Sequence, residues 1–99
     1  MGTMSEEIIT SLHEAYAARR DPAIRDELLE HYLPLCRAVA SRFTGRGAER
    51  EDLEQVAAMA LLSALERFDP ALGNRFSSFA VPTLTGALRN HLRDRGDGM

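Results

Sequence analysis

Residues 51–70 read EDLEQVAAMALLSALERFDP, and within them Leu53, Val56, Ala57, Ala60, Leu61, Ala64, Leu65 and Phe68 recur at three- and four-residue spacing. At 3.6 residues per turn an α-helix brings such a set onto one face, whereas a strand would scatter it over two. A helix is therefore expected from near Glu51, ended by Asp69-Pro70 and Gly73, and its apolar face makes it the central rod of a core.

Outward from this rod the same period persists. Upstream, Thr44-Gly45-Arg46-Gly47 interrupts it with two glycines suited to a helix end and turn. Before that break, Ile24, Leu28, Tyr32, Leu35 and Val39 mark a helix reaching about Phe43, with Pro34 placed to kink or divide it. Asp21-Pro22 starts this helix, Asp21 as cap and Pro22 at the first helical position. Earlier still, a Ser5 cap opens a helix to about Arg19 with Ile8, Ile9, Leu12 and Tyr16 on one stripe. Downstream, Ser77 or Ser78 is placed to cap a fourth helix that reaches about Asp94. Its inward stripe is Ala80, Leu84, Ala87, Leu88 and His91, and Pro82, Gly86, Arg89 and Arg93 face outward. Pro82 costs little only if this helix starts late. No run of five alternating β-branched and aromatic residues occurs, so the expected fold is all-α, a compact three- to four-helix bundle. The expected organisation is an acidic helix at 1–20, a helical domain at 21–95 and a disordered tail at 96–99. Met1-Gly2-Thr3 before Met4 reads as a cloning remnant or an alternative start.

Composition narrows the function. Ninety-nine residues with 44% hydrophobic and 27% charged side chains suit one folded domain and exclude a low-complexity or disordered chain. The longest apolar run, Val56 to Leu62, is far short of the roughly 18 residues that span a bilayer, so no membrane association is expected. One cysteine, Cys36, leaves no internal disulfide and no zinc cluster, and a cytoplasmic location is the default. The net charge of −3 hides a gradient: residues 1–30 carry seven acids against three arginines, whereas residues 71–99 carry four arginines against two aspartates. All twelve basic residues are arginine, which suits bidentate phosphate contact or reflects codon bias.

Catalysis has little to work with. His13, His31 and His91 sit on separate segments and read as surface or helix-end residues, Cys36 reads as an inert buried thiol, and no cofactor or metal is expected. Gly45 and Gly47 do not make a phosphate loop. Two groups invite binding instead. Arg75, Phe76 and Phe79 combine a cation with two rings, as single-stranded nucleic acid requires, although core packing accounts equally for the rings. Asp52, Glu54 and Gln55 form either a capping box, with Asp52 as cap, or an acidic edge for a basic partner.

The strings EDLEQ, ALERFDP and RFSSFAVPT, in this order between Arg25 and Arg95, resemble the second conserved region of bacterial RNA polymerase sigma factors of the sigma-seventy superfamily. The likeness is strongest to the general-stress and sporulation group. It implies that Asp52, Leu53, Glu54 and Gln55 dock on the clamp helices of the polymerase β′ subunit. It implies, further, that Arg75, Phe76, Ser78 and Phe79 hold the unwound non-template strand of the promoter minus-ten element, with Arg75 on phosphate and the rings on flipped bases. Gly86 and Arg89, with Arg93 on the same ridge, would meet the still-paired upstream edge. Primary members carry tandem tryptophans where Pro82 and Thr83 stand, so upstream support must differ. Members of the superfamily also continue past HLRDRG, so the chain reads as an excised domain or a short form. A second expectation is a sigma-like module held by an anti-sigma factor without DNA activity of its own. Neither reading involves an enzyme.

Overall fold

The computed structural model describes residues 5–97, with side chains as far as Arg93. Among the described residues the elements are α1 (Glu6–Arg19), α2 (Pro22–Ser41), α3 (Arg50–Arg67), a single 3-10 turn (Pro70–Leu72) and α4 (Phe76–Asp97). The all-α expectation holds, with four helices. None of them is long and apolar enough to cross a membrane.

Local chemistry sets the boundaries. Ser5 Oγ accepts from the Ile8 amide at 3.3 Å and Asp21 Oδ1 from the Ala23 amide at 2.9 Å, as their cap positions require. Between α1 and α2, Arg20 adopts the left-handed region at φ 54°, its amide donating to Tyr16 O at 2.8 Å. An arginine is costly there; its guanidinium offsets the strain by lying over the Tyr16 ring at 5.0 Å and pairing with Glu66 at 3.6 Å. α2 runs unbroken through Pro34, whose ring is exposed, and ends two residues earlier than the periodicity suggests. Three further expectations need correction. Glu49, not Asp52, precedes α3 and no side chain caps it, so Asp52 lies inside the first turn and the capping box is absent. α4 starts at Phe76, so neither Ser77 nor Ser78 caps it and Pro82 lies well inside the helix. It also runs to Asp97 rather than Asp94, so Gly96 and Asp97 of the expected tail are helical; Gly98, Met99 and Met1 to Met4 lie outside the described residues.

The core confirms the rod. Leu53, Ala57, Ala60, Leu61, Ala64, Leu65 and Phe68 are buried, with Val56 half-buried. α2 crosses it closely enough for the Cys36 thiol to reach Ala57 O at 3.8 Å, and Leu28 and Val39 are buried in the same core. Gly73, at φ 81°, turns the chain after the 3-10 turn, a conformation unfavourable for any other residue type. α4 then returns antiparallel along α3: Phe79 meets Phe68 at 5.7 Å, and Thr83 and Ala87 share a shallow groove with Val56, Met59 and Ala60. Ala80, Leu84 and Leu88 are its buried stripe. α1 lies across the end of the bundle that holds the 3-10 turn, with Tyr16 and His13 inward and Ile8 exposed, so its stripe is turned from the one expected.

Candidate nucleic-acid and protein interfaces

The two ends of α3 carry different chemistry. At its start Gln55 is exposed and Asp52 and Glu54 are half-exposed, but Leu53 is 0% exposed. Leu53 belongs to the apolar stripe, so its side chain touches the core and no partner; the expectation that it docks is corrected. The outward side continues instead through Met59, 70% exposed, and Leu62, which follow Gln55 at four- and seven-residue spacing on one face. Sequence reading passed over both because they sit inside an apolar run; the signal that separates them is their phase relative to Leu53 and Ala57.

At the other end of α3, a cleft of about 620 Å³ opens between α1, α2 and the start of α4. Glu6, Thr10, His31, Tyr32, Asn74 and Arg75 are among its walls, and Phe68 and Phe76 line it below. Phe76 is only 4% exposed, with ring centroids at 4.7 Å from Tyr32, 4.8 Å from His13 and 5.1 Å from Phe68. It is a keystone of an aromatic cluster and not a surface ring, so the expectation that it stacks on a base is corrected for this conformation. Phe79, three residues on, is half-exposed, and Ser78 between them is exposed. The Phe79 ring lies under the Arg67 guanidinium at 5.8 Å.

Arg75 is exposed, but its Nη2 donates to Glu6 Oε2 at 2.7 Å. The cation expected to hold phosphate is thus occupied by a carboxylate from α1, sixty-nine residues away in sequence. α1 is fastened along its length: Glu6 on Arg75, His13 Nε2 sharing a 2.9 Å hydrogen bond with the Tyr32 hydroxyl, and the Tyr16 hydroxyl donating to Glu66. Burial, and secondarily the charge of His31, lowers His13 to about 4. Burial, followed by the Glu6 charge, pushes Tyr32 up to about 12, and burial with the Glu66 contact raises Tyr16. His13 was expected at the surface or a helix end; it lies mid-helix, and at 7% exposure it is the one buried polar residue among those described. Burial likewise pushes the Cys36 thiol up to about 11.

Along α4 the outward ridge is as the spacing implies. Arg89 and Arg93 are exposed, Arg93 donating to Asn90 at 3.0 Å, and a Cβ built on Gly86 would meet nothing within 4 Å. His91 is half-buried, its Nε2 without a hydrogen-bond partner among the described residues. No cluster of three or more potential metal ligands occurs among them.

An exposed acidic and apolar strip at the start of α3, and the half-exposed Phe79 ring beneath the Arg67 guanidinium at its end, gain meaning from relatives. The chain is 50% identical over 70 residues to the RNA polymerase sigma factor SigF of Mycobacterium tuberculosis, covering 71% of this chain and 27% of that protein. It is 31% identical over 96 residues to the sigma-B factor of Bacillus anthracis, covering 97% of this chain and 37% of that one. A third relative, the sigma-F factor of Kitasatospora aureofaciens, is 41% identical over 76 residues, 77% of this chain and 26% of its own length. The chain therefore spans between about a quarter and two fifths of the curated relatives it matches. The family described as sigma-70 region 2 matches residues 28–97, which hold α3, the 3-10 turn and α4 entire and all of α2 but its first turns, and to that family this chain belongs.

Proposed function

We propose that this domain binds RNA polymerase core through the outward edge of α3 and takes the unwound non-template strand of the minus-ten promoter element at the mouth between α1 and α4. Asp52, Glu54 and Gln55, extended by Met59 and Leu62, meet the β′ clamp helices. Their acids supply complementarity to a basic partner, and the two apolar side chains supply buried area. At the other end Phe79 stacks an unpaired base, Ser78 offers a hydroxyl beside it, Arg75 holds phosphate once released by Glu6, and the adjoining cleft is roomy enough for an unstacked base. Arg89, Arg93 and the open backbone at Gly86 face the paired DNA upstream.

The observation that carries this reading is the half-exposed Phe79 ring, with the Arg67 guanidinium over it at 5.8 Å and Phe68, which lines the cleft of about 620 Å³, at 5.7 Å. Melting here is driven by binding: stacking at roughly 1–3 kcal/mol per base offsets the few kcal/mol of unpairing. Affinity of a fluorescent single-stranded minus-ten oligonucleotide for the complex of this chain with polymerase core tests it. Phe79→Ala and Arg75→Ala together are expected to weaken binding at least tenfold; unchanged affinity refutes the DNA contact. The exposed Met59 and Leu62 also suit a second reading, a cytoplasmic module held by an anti-sigma factor. Recovery of a small regulator without polymerase in a pull-down from the native host would favour it.

A further inference from the structure

We propose that Arg67 is a placeholder on Phe79: in the free chain its guanidinium occupies the ring, and an incoming nucleobase displaces it onto the phosphate of the same single-stranded nucleic acid. The inference rests on the single-strand reading above and adds to it Arg67, to which the sequence reading gave no role although it lies within ALERFDP.

Three observations converge on Arg67. It is the last residue of α3, and the antiparallel return of α4 brings Phe79 beneath it at 5.8 Å from guanidinium carbon to ring centroid. Arg67 is exposed and forms no ion pair with a described carboxylate, unlike Arg75 with Glu6 and Arg20 with Glu66. Its packing partner is therefore a ring that is itself half-exposed, with Phe68 closing another side at 5.7 Å.

A guanidinium over an exposed phenylalanine is weakly held, because water solvates the cation almost as well as the ring does. A nucleobase presents a larger, uncharged π-face and loses less hydration on stacking, so it is the stronger occupant of that face. The displaced guanidinium stays tethered within a side chain's length of the stacked base, where the nearest anion is the nucleotide's own phosphate. Planar, always charged and carrying five donors, it suits that phosphate better than an ammonium would. While Glu6 holds Arg75, Arg67, over Phe79, is a cation that a strand meets with no carboxylate partner among the described residues. Its place in the last turn of α3 also favours a positive charge through the helix dipole, a purely structural role that the test must separate.

Binding of a fluorescent A/T-rich single-stranded 12-mer to the full chain, measured by anisotropy over a series of salt concentrations, separates them. Each phosphate contact on a single strand contributes about 0.7 to the slope of log affinity against log salt. Arg67→Ala is expected to reduce that slope by about 0.7, and Arg67→Lys, which keeps the charge and the dipole contact, to leave it near the parent value. In a double-mutant cycle, Arg67→Ala should cost at least threefold less in the Phe79→Leu background, since without a stacked base the guanidinium has no phosphate held beside it. An unchanged slope in Arg67→Ala, or strictly additive effects with Phe79→Leu, overturns the placeholder. Absence of binding by the parent chain overturns the single-strand reading itself. Arg67→Gln provides a second uncharged variant if helicity by circular dichroism shows that Arg67→Ala unfolds.

Discussion

His13 offers the sharpest quantitative check on how α1 is mounted. Its ring is buried against Phe68, Phe76 and Tyr32, and burial lowers it from 6.5 to about 4. The unfolded chain therefore takes up the proton first as pH falls. Stability tied to the neutral ring is fully present above pH 6.5, declines between 6.5 and 4, and changes no further below 4. At 1.36 kcal/mol per pKa unit the full loss is about 3 kcal/mol, of which about 2.5 kcal/mol has gone by pH 4.5. His13→Phe keeps an aromatic ring in the cluster and removes the titration. His31, Tyr32, Glu6 and Arg75, the other charged or titratable groups at this cleft, are unchanged in both proteins. Urea unfolding followed by circular dichroism at pH 7.5 and pH 4.5 yields the loss for each protein. The parent chain should lose about 2.5 kcal/mol more than His13→Phe over that interval. Equal losses would mean that His13 is solvated or charged in the folded chain, and the buried mounting of α1 would be wrong.

Other consequences follow from single contacts. Glu6→Gln frees Arg75, and single-stranded oligonucleotide binding by the chain should tighten about two- to fivefold at low salt, the size of an exposed ion pair; weaker or unchanged binding would show that Glu6 does not compete with phosphate. Gly86→Ala should stabilise α4 by about 0.5–1 kcal/mol, because a Cβ there meets nothing within 4 Å, and urea midpoints decide it; a loss of stability contradicts the helical backbone at this position. Cys36, its thiol pushed up to about 11, should resist alkylation at pH 8 and react promptly in urea; prompt reaction in the native chain contradicts its burial.

Much of the architecture was readable from periodicity, because the apolar stripe of α3 has the spacing of only one kind of element and Asp21-Pro22 and Gly73 punctuate the chain by fixed backbone chemistry. The tertiary consequences were not. Leu53 lies within a polar string, yet its place in the stripe carries it inward, and Met59 lies within an apolar run but rotates outward. Phe76 and Phe79 are equivalent as letters; only the docking of α1, with His13 as its plug, seals one and leaves the other half-open. The Glu6–Arg75 pair joins residues at opposite ends of the sequence, and the Arg67–Phe79 contact depends on how α4 returns along α3, so no local pattern announces either. The ridge of Arg89 and Arg93, by contrast, needed only helical spacing.

The central claim is that one helical body faces a polymerase at the start of α3 and an opened DNA strand where α4 begins. Photo-crosslinking addresses it directly, with p-benzoylphenylalanine introduced at Gln55 or at Ser78, both exposed, in an assembly of this chain with polymerase core and a promoter carrying an unpaired minus-ten segment. The account expects position 55 to capture the β′ subunit and position 78 to capture the non-template strand. Capture of DNA from position 55, or of protein alone from position 78, would contradict it.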